Sequence, residues 1–518
     1  MPNFVQNGKV YSATWETTGP SFLSNEDTRY GQGRLGIDYT LNMDSRWSVL
    51  CLGPLINTLN LTPAGGTAAN TNGIALSEGM NATKYIYLIR GTKWAKVQAS
   101  NMTLISNDTE TALAERATGI LYTKNAAGTE EISVFMNGTA YRVITTVSAG
   151  ATDTHSANNE TIINRAGNYG WPGNTILAGG GQVIRHNVLT GSVGMDASAW
   201  QTRATLVGES LVITSVVLDG DKVLVGTNNG PYYFDNDFRD FRPLIQEIST
   251  DPDNKACSAM TTWFPVGVLV NLKKALYRTK NSVGSSCGPE VYPANESPIQ
   301  GYFTALWGSE RWLYGALYNP GTDKTHILAG HVPTEGEPFQ DKLLSWFPIA
   351  TLGDGVECEA LRDIETYGGR ANATMVGGHD DDLFWFTQGR LAREIDDANY
   401  LFSPSGSAYF TELRRERHLD KYPVGLELET TGCDAGKTVT VYMAADGGSY
   451  EQVGSPITTN GIQRIHIPAG DNFHGSRLKI RVDAVTDSSS SSPKVLPGMT
   501  LFFRMAEREI DGSAPGWV

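Results

Sequence analysis

Charge, cysteine and long apolar runs are all scarce in this 518-residue chain. Charged residues make up 19 % of it, below the roughly 25 % of an average globular protein, whereas hydrophobic residues reach 40 %. Disorder driven by charge is therefore excluded. The five cysteines (Cys51, Cys257, Cys287, Cys358 and Cys433) stand far apart, are odd in number and contain no Cys-x-x-Cys pair. That spacing supports neither a disulfide framework nor a structural zinc site, and it predicts reduced, packed thiols. No apolar run approaches the roughly 20 residues that cross a bilayer, Leu211–Leu218 being among the longest, so no membrane span is expected. The chain opens without a basic segment followed by an apolar core, which predicts synthesis in a cytoplasm rather than secretion. On that reading the Asn-x-Ser/Thr triplets at Asn60, Asn81, Asn101, Asn107, Asn137, Asn159, Asn295 and Asn372 are features of Asn/Thr-rich loops. The 55 acidic residues outnumber the 41 basic ones, for a net charge of −14. Such a surface repels phosphate on average, so counterion release from DNA or RNA is not its main source of affinity and a nucleic-acid reader is not expected.

Helical periodicity is also rare. Short helices are expected only at Thr111–Arg116, Ala360–Tyr367 and Leu413–Asp420. What recurs is an apolar strand, a turn and a second strand, as at Tyr85–Ile89 with Trp94–Val97 and at Trp312–Tyr318 with Thr325–Ala329. These units begin near residues 85, 120, 175, 222, 266, 312 and 383, a mean step of about 50, close to the length of a propeller blade. An all-β chain is predicted, a β-propeller of six to eight blades followed by a C-terminal β-sandwich. Radial repetition hides the many strand edges such a chain would otherwise expose. In the segment Val223–Asp235, Gly226 permits close strand packing, Asn229-Gly230 offers the positive φ of a tight hairpin, and Tyr232 and Phe234 alternate inward.

From about residue 421 the texture changes to clean alternation. Leu426 and Leu428 alternate with Glu427 and Glu429, and Leu478, Ile480 and Val482 alternate with Lys479 and Arg481. At least five antiparallel strands follow, with the Ser488–Ser492 run as a flexible surface loop. The domain division read from these patterns is 1–75, an N-terminal arm or propeller-closing strand; 76–410, the propeller; 411–509, the sandwich; and 510–518, a C-terminal tail.

Several motifs imitate catalytic signatures without their context. Gly31-Gln-Gly-Arg-Leu-Gly36 matches a dinucleotide fingerprint, but a strand, Ile37–Leu41, is expected where a helix should hold the pyrophosphate. Gly284-Ser-Ser-Cys-Gly288 matches a nucleophile elbow, yet Pro289 and Pro293 follow instead of a helix. His379-Asp-Asp-Asp382 and Asp235-x-Asp237-x-x-Asp240 read as solvated turns, since neither has the spacing of a calcium loop. His326 and His331, five apart on a strand, face opposite sides and make no zinc pair. Paired carboxylates for glycoside hydrolysis would come from different blades, and sequence does not reveal their separation. Aromatics suggest sugar platforms near Trp171 and Trp200, or wedges between blades at Trp94, Trp312 and Trp385. No catalytic, cofactor-binding or metal-binding residue is assigned.

Four segments, in order along residues 80–505, resemble the β-propeller tail proteins of tailed bacteriophages. They are Tyr85-Ile-Tyr-Leu-Ile-Arg-Gly-Thr-Lys-Trp-Ala-Lys-Val97, the Val223–Asp235 hairpin, Trp312–Gly330, and the final domain opening Leu426-Glu-Leu-Glu-Thr-Thr-Gly-Cys-Asp-Ala-Gly. The resemblance implies a non-enzymatic virion component without cofactors. Such a component is made in the host cytoplasm and forms a homo-oligomeric ring or sleeve with other tail proteins, as in the nozzle of short-tailed phages. The net negative charge then lets phage DNA pass without adhering. Two other readings stay open on the same fold, a host-surface glycan or receptor binder and a propeller-type glycoside hydrolase.

Overall fold

The computed structural model describes residues 9–21, 35–61, 71–77, 84–107, 117–124, 130–136, 141–146, 154–158, 166–169, 175–180, 182–188, 201–205, 211–219, 222–234, 241–244, 256–264, 266–272, 275–280, 283–289, 299–309, 312–333, 344–354, 357–364, 374–379, 382–387, 400–414, 419–468 and 473–507. Among these residues the protein is all-β, with no helix.

Most of the strands belong to seven four-stranded antiparallel sheets. The first six are meanders of consecutive strands, beginning at Thr71–Leu76, Ala117–Lys124, Ala166–Tyr169, Ile213–Asp219, Met260–Trp263 and Tyr302–Gly308. The seventh contains Ala360–Ile364, Thr374–His379 and Asp382–Thr387, and its fourth strand is Asn57–Asn60 from near the N-terminus. Leu59 lies opposite Leu383 and Thr58 opposite Phe384. The first strand of each sheet neighbours the first strand of the next, and that of the seventh neighbours that of the first.

Adjacent sheets share cores, and this explains the local sequence. Tyr85–Arg90, second strand of the first sheet, is buried at all six positions. A strand covered on both faces needs an unbroken apolar run, which is why YIYLI lacks alternation. Trp94 lies in the core between the first and second sheets, Trp312 between the sixth and seventh, and Trp385 against the core of the seventh and first. Gly226, in the strand Lys222–Thr227 of the fourth sheet, lies close against the chain that enters the fifth. A Cβ there would meet Cys257 Cβ at 2.6 Å. The turn that follows consists of Asn228 and Asn229, and positive φ falls on Gly230 (118°), which pairs with Thr227.

Two further sheets share a separate core. One contains Tyr11–Trp15, Lys494–Glu507, Leu419–Thr431 and Gly461–His466 in that spatial order. The other contains Ile37–Leu41, Ser405–Phe410, Leu478–Thr486, Lys437–Ala445 and Glu451–Ile457. Here alternation is exact in burial: along Leu478–Thr486 every second residue is buried, one face meeting the core and the other facing outward. Trp15, Leu426, Met443, Ile480 and Phe503 fill the space between. Tyr11–Trp15 and Ile37–Leu41, from the segment expected to be an arm, are thus edge strands of these two sheets.

Two of the expected helices are corrected. Ala360–Ile364 is a strand paired with Thr374–His379; Leu413 bridges to Leu478, and Leu419 and Asp420 begin the 13-residue strand Leu419–Thr431, residues 415–418 lying outside the described set. In both, pairing with a neighbouring strand outweighs a weak local preference for helix. The third, Thr111–Arg116, lies outside the described residues. The Ser488–Ser492 run is tied down rather than free. Thr486 Oγ1 donates to the carbonyls of Ser488 and Ser491, Phe402 N donates to Ser489 O, and Leu52 N to Ser492 Oγ.

Replacing Gly226 with Val forces side-chain atoms into Ser215 and Cys257, and overpacking of this kind costs about 1–3 kcal/mol. Thermal unfolding of Gly226→Val is expected several degrees below the parent. An unchanged midpoint would mean the two sheets are not this close.

Candidate functional site

The first strands of the fourth to seventh sheets line an open cavity of about 520 Å³. Its wall is rich in hydroxyls: Ser258, Thr261, Thr262 and Thr304 contribute to it, beside Met260, Trp307 and Glu359. Side chains on these strands tie each sheet to its successor. Thr214 Oγ1 donates to Ala256 O at 2.9 Å and Ser215 Oγ to Cys257 O at 2.5 Å, joining the fourth and fifth sheets. Trp263 Nε1 donates to Ser309 O at 2.7 Å, and Thr304 Oγ1 to Cys358 O at 2.6 Å. Trp307 donates Nε1 to Asp363 Oδ1 at 2.8 Å while the Arg362 guanidinium lies 5.4 Å from its ring centre. The cavity is therefore framed by strands hydrogen-bonded through their side chains. Glu359 is the one carboxylate among the described residues that line it. Glycoside hydrolysis requires a second at a defined separation. The described residues contain no group of three His, Cys, Asp or Glu side chains placed to hold a metal.

A second concentration of functional groups is fully buried. Asp44 precedes a turn to Arg46 and Trp47, and its carboxylate collects nearly every donor nearby. Arg46 donates Nε to Oδ1 at 3.0 Å and Nη2 to Oδ2 at 2.8 Å, with its backbone N on Oδ1 at 3.0 Å. Trp47 Nε1 reaches Oδ2 at 2.9 Å and Tyr400 OH reaches it at 3.3 Å. The guanidinium also donates Nη1 to Tyr314 OH at 3.2 Å and lies 4.8 and 5.0 Å from the rings of Trp47 and Trp312. Both charged side chains are 0 % exposed. Burial pulls the Arg46 pKa down, but the adjacent Asp44 charge and hydrogen bond outweigh it and hold it well above the usual value. Burial first, then the Asp44 charge, pushes the Tyr400 hydroxyl well up. With every group engaged and no solvent access, this cluster acts as a structural pin, which sequence reading missed because Asp44-Ser-Arg46 has no motif.

The motifs singled out in the sequence are not brought together. Gly36 leads directly into the strand Ile37–Leu41, so no helix follows to receive a pyrophosphate; residues 31–34 lie outside the described set. Gly284–Ser286 belong to the edge strand Val283–Ser286, and Cys287 is buried beyond it. His379 and Asp382 pair across a hairpin, while Asp380, Asp381, Asp235, Asp237, Asp240, Trp171 and Trp200 lie outside the described residues. His326 is buried with Nδ1 3.0 Å from Thr351 Oγ1, and His331 packs against the rings of Trp312 and Phe347. None of the five cysteines forms a disulfide, and all are buried. Burial pushes the thiols of Cys257, Cys287 and Cys358 up to about 12.

No family model matches this sequence, and no curated protein does. Among solved structures, BBS1N in complex with ARL6DN aligns at a TM-score of 0.41 with 11 % identity, covering 66 % of this chain and 97 % of that one.

Two outcomes are expected. Asp44→Asn leaves a buried guanidinium without its counter-charge, which costs about 3–5 kcal/mol; denaturant unfolding should show that loss, and a change below 1 kcal/mol would contradict the pin. At pH 8, several units below a thiol pKa of about 12, Cys257, Cys287 and Cys358 are protonated and shielded. Ellman's reagent should leave them unmodified in the native protein and titrate all five cysteines in guanidinium chloride, whereas fast native labelling of these three would contradict their burial.

Proposed function

We propose that the seven four-stranded sheets are blades of one closed β-propeller, and that the two sheets of the second core form a β-sandwich built from both ends of the chain. On this reading Asn57–Asn60 closes the seventh blade, so the propeller's last sheet joins distant parts of the sequence and the ring cannot open without breaking that pairing. The molecule is a non-enzymatic structural protein of a bacteriophage tail, one subunit of a homo-oligomeric ring or sleeve of nozzle or tail-hub type, assembled with other tail proteins.

The observation that carries this reading is the path of the N-terminal residues. Within about fifty residues they supply a strand to each sandwich sheet, the pin at Asp44 and Arg46, and the closing strand of the seventh sheet. Thr40 Oγ1 donates to Pro348 O at 2.6 Å and Thr351 N to Asn42 Oδ1 at 2.8 Å, fastening sandwich to propeller along the sixth sheet. A chain stitched in this way is a stiff block, suited to passing force between neighbours rather than to hinge motion around a substrate. The resemblance of the Tyr85–Val97, Val223–Asp235 and Trp312–Gly330 segments to phage tail propellers supports the same assignment. A net charge of −14 suits a conduit wall that DNA must pass without adhering.

Mass photometry of the purified chain over a range of concentrations, with negative-stain images of the same sample, tests the proposal. Closed particles several times the 56.1 kDa protomer are expected. A monomer at every concentration would contradict it.

A further inference from the structure

The outward face of the five-stranded sheet carries a row of aromatic side chains. Register places Tyr39 opposite Tyr409, Tyr409 opposite Arg481, Arg481 opposite Tyr442, and Tyr442 opposite Gln452. Residues directly opposite share a face, so these five side chains form one row across all five strands. At the usual strand spacing the row is roughly 19 Å long. Tyr39 and Tyr409 stack with ring centres 4.3 Å apart. The Arg481 guanidinium sits 4.1 Å from the ring centre of Tyr442 and 5.9 Å from that of Tyr409. Tyr450, arriving from the turn before Glu451–Ile457, adds a third ring 5.2 Å from the guanidinium and meets Tyr409 edge-on at 5.7 Å. Beside the row, Asp483 takes Nη2 of Arg481 at 3.0 Å.

These rings are only partly covered, and the Arg481 and Asp483 side chains remain 22 % and 23 % exposed. At one end the row meets a wall, because Tyr39 packs against the core shared by the fifth and sixth sheets. On the other sheet's outward face Glu427 pairs with Arg464, next to an exposed Ile462. Sheet stability alone does not need three tyrosine rings around an arginine, with a fourth stacked behind, since small β-branched residues serve as well on an outward face.

We infer that this tyrosine–arginine row is a binding platform for an uncharged oligosaccharide. Aromatic faces stack on the apolar faces of sugar rings, and a planar guanidinium beside a carboxylate offers fixed donors and acceptors to neighbouring hydroxyls. A mostly aromatic surface with a few convergent polar groups is the usual composition of a small-ligand site. Arg481 is already neutralised by Asp483, so an anionic ligand would gain no unpaired charge. The length of the row fits a chain of sugars better than a single ring.

The full-length protein, in whatever oligomeric state it adopts, is applied to an array of neutral hexose and N-acetylhexosamine oligosaccharides alongside sialylated and sulfated ones. Binding to neutral members is expected, weakened at least ten-fold by Tyr442→Ala and retained by Tyr442→Phe, with the melting temperature of each variant measured in parallel. If Tyr442→Ala fails to fold, Tyr450→Ala, altering a turn residue, takes its place with the same expected loss. Silence on neutral glycans, binding confined to acidic ones, or binding indifferent to these tyrosines would overturn the inference. The readout does not depend on ring formation, so it fails or succeeds separately from the assembly proposal.

Discussion

A carboxylate and a guanidinium taken wholly out of water hold this architecture in register. Desolvating Asp44 and Arg46 costs several kcal/mol per ion, and their attraction repays it only because other donors saturate the carboxylate and two indole rings flank the cation. The net contribution to stability is therefore modest. What the cluster contributes is specificity: it draws Tyr314 from the sixth sheet, Tyr400 from the segment entering the second core, and the N-terminal chain onto one point. A slip of one residue in that chain would strand a buried charge, a far larger penalty than any apolar mismatch. The strands on either side of it, Ile37–Leu41 and Asn57–Asn60, are thereby placed on two different bodies.

Around the pin, two kinds of packing coexist. The seven-sheet part buries its central strands on both faces, so neighbouring sheets share cores and residues such as Tyr87, Tyr314 and Phe384 fill the wedge between them. The second core is a layer between two sheets, with one face of each turned to solvent. The two kinds of packing offer different surfaces. Sheets covered on both faces have only their edges, ends and inner strands to offer, and the inner strands frame a cavity lined by threonines and Glu359. The two-sheet part has broad outward faces, and the tyrosine–arginine row lies on one of them.

Much of the fold was legible in the sequence because both packing types leave a pattern. Unbroken runs such as YIYLI and the fifty-residue recurrence mark strands of stacked sheets, and the strict alternation of LKIRVDAVT marks a half-covered sheet. Long-range pairing left no such mark. Asn57–Asn60 reads as a polar tetrapeptide, and nothing local says that it lies beside Asp382–Thr387. Ala360–Ile364 looked helical because ALRDI has weak helical spacing, while its partner strand decides the outcome. The Ser488–Ser492 run looked free because composition is silent on which hydroxyls find partners. The aromatic row escaped detection for the same reason: Tyr39, Tyr409, Arg481 and Tyr442 are scattered over some 400 residues and meet only through register.

The N-terminal chain locks the seven-sheet part and the two-sheet part into one cooperative unit. Native-state hydrogen exchange followed by mass spectrometry, across a series of sub-denaturing guanidinium concentrations, tests it most directly. The account predicts that peptides spanning residues 37–60, 374–387 and 478–486 lose protection together, with one free energy of opening. Early exchange of residues 57–60 while the seventh sheet and the second core stay protected would contradict it.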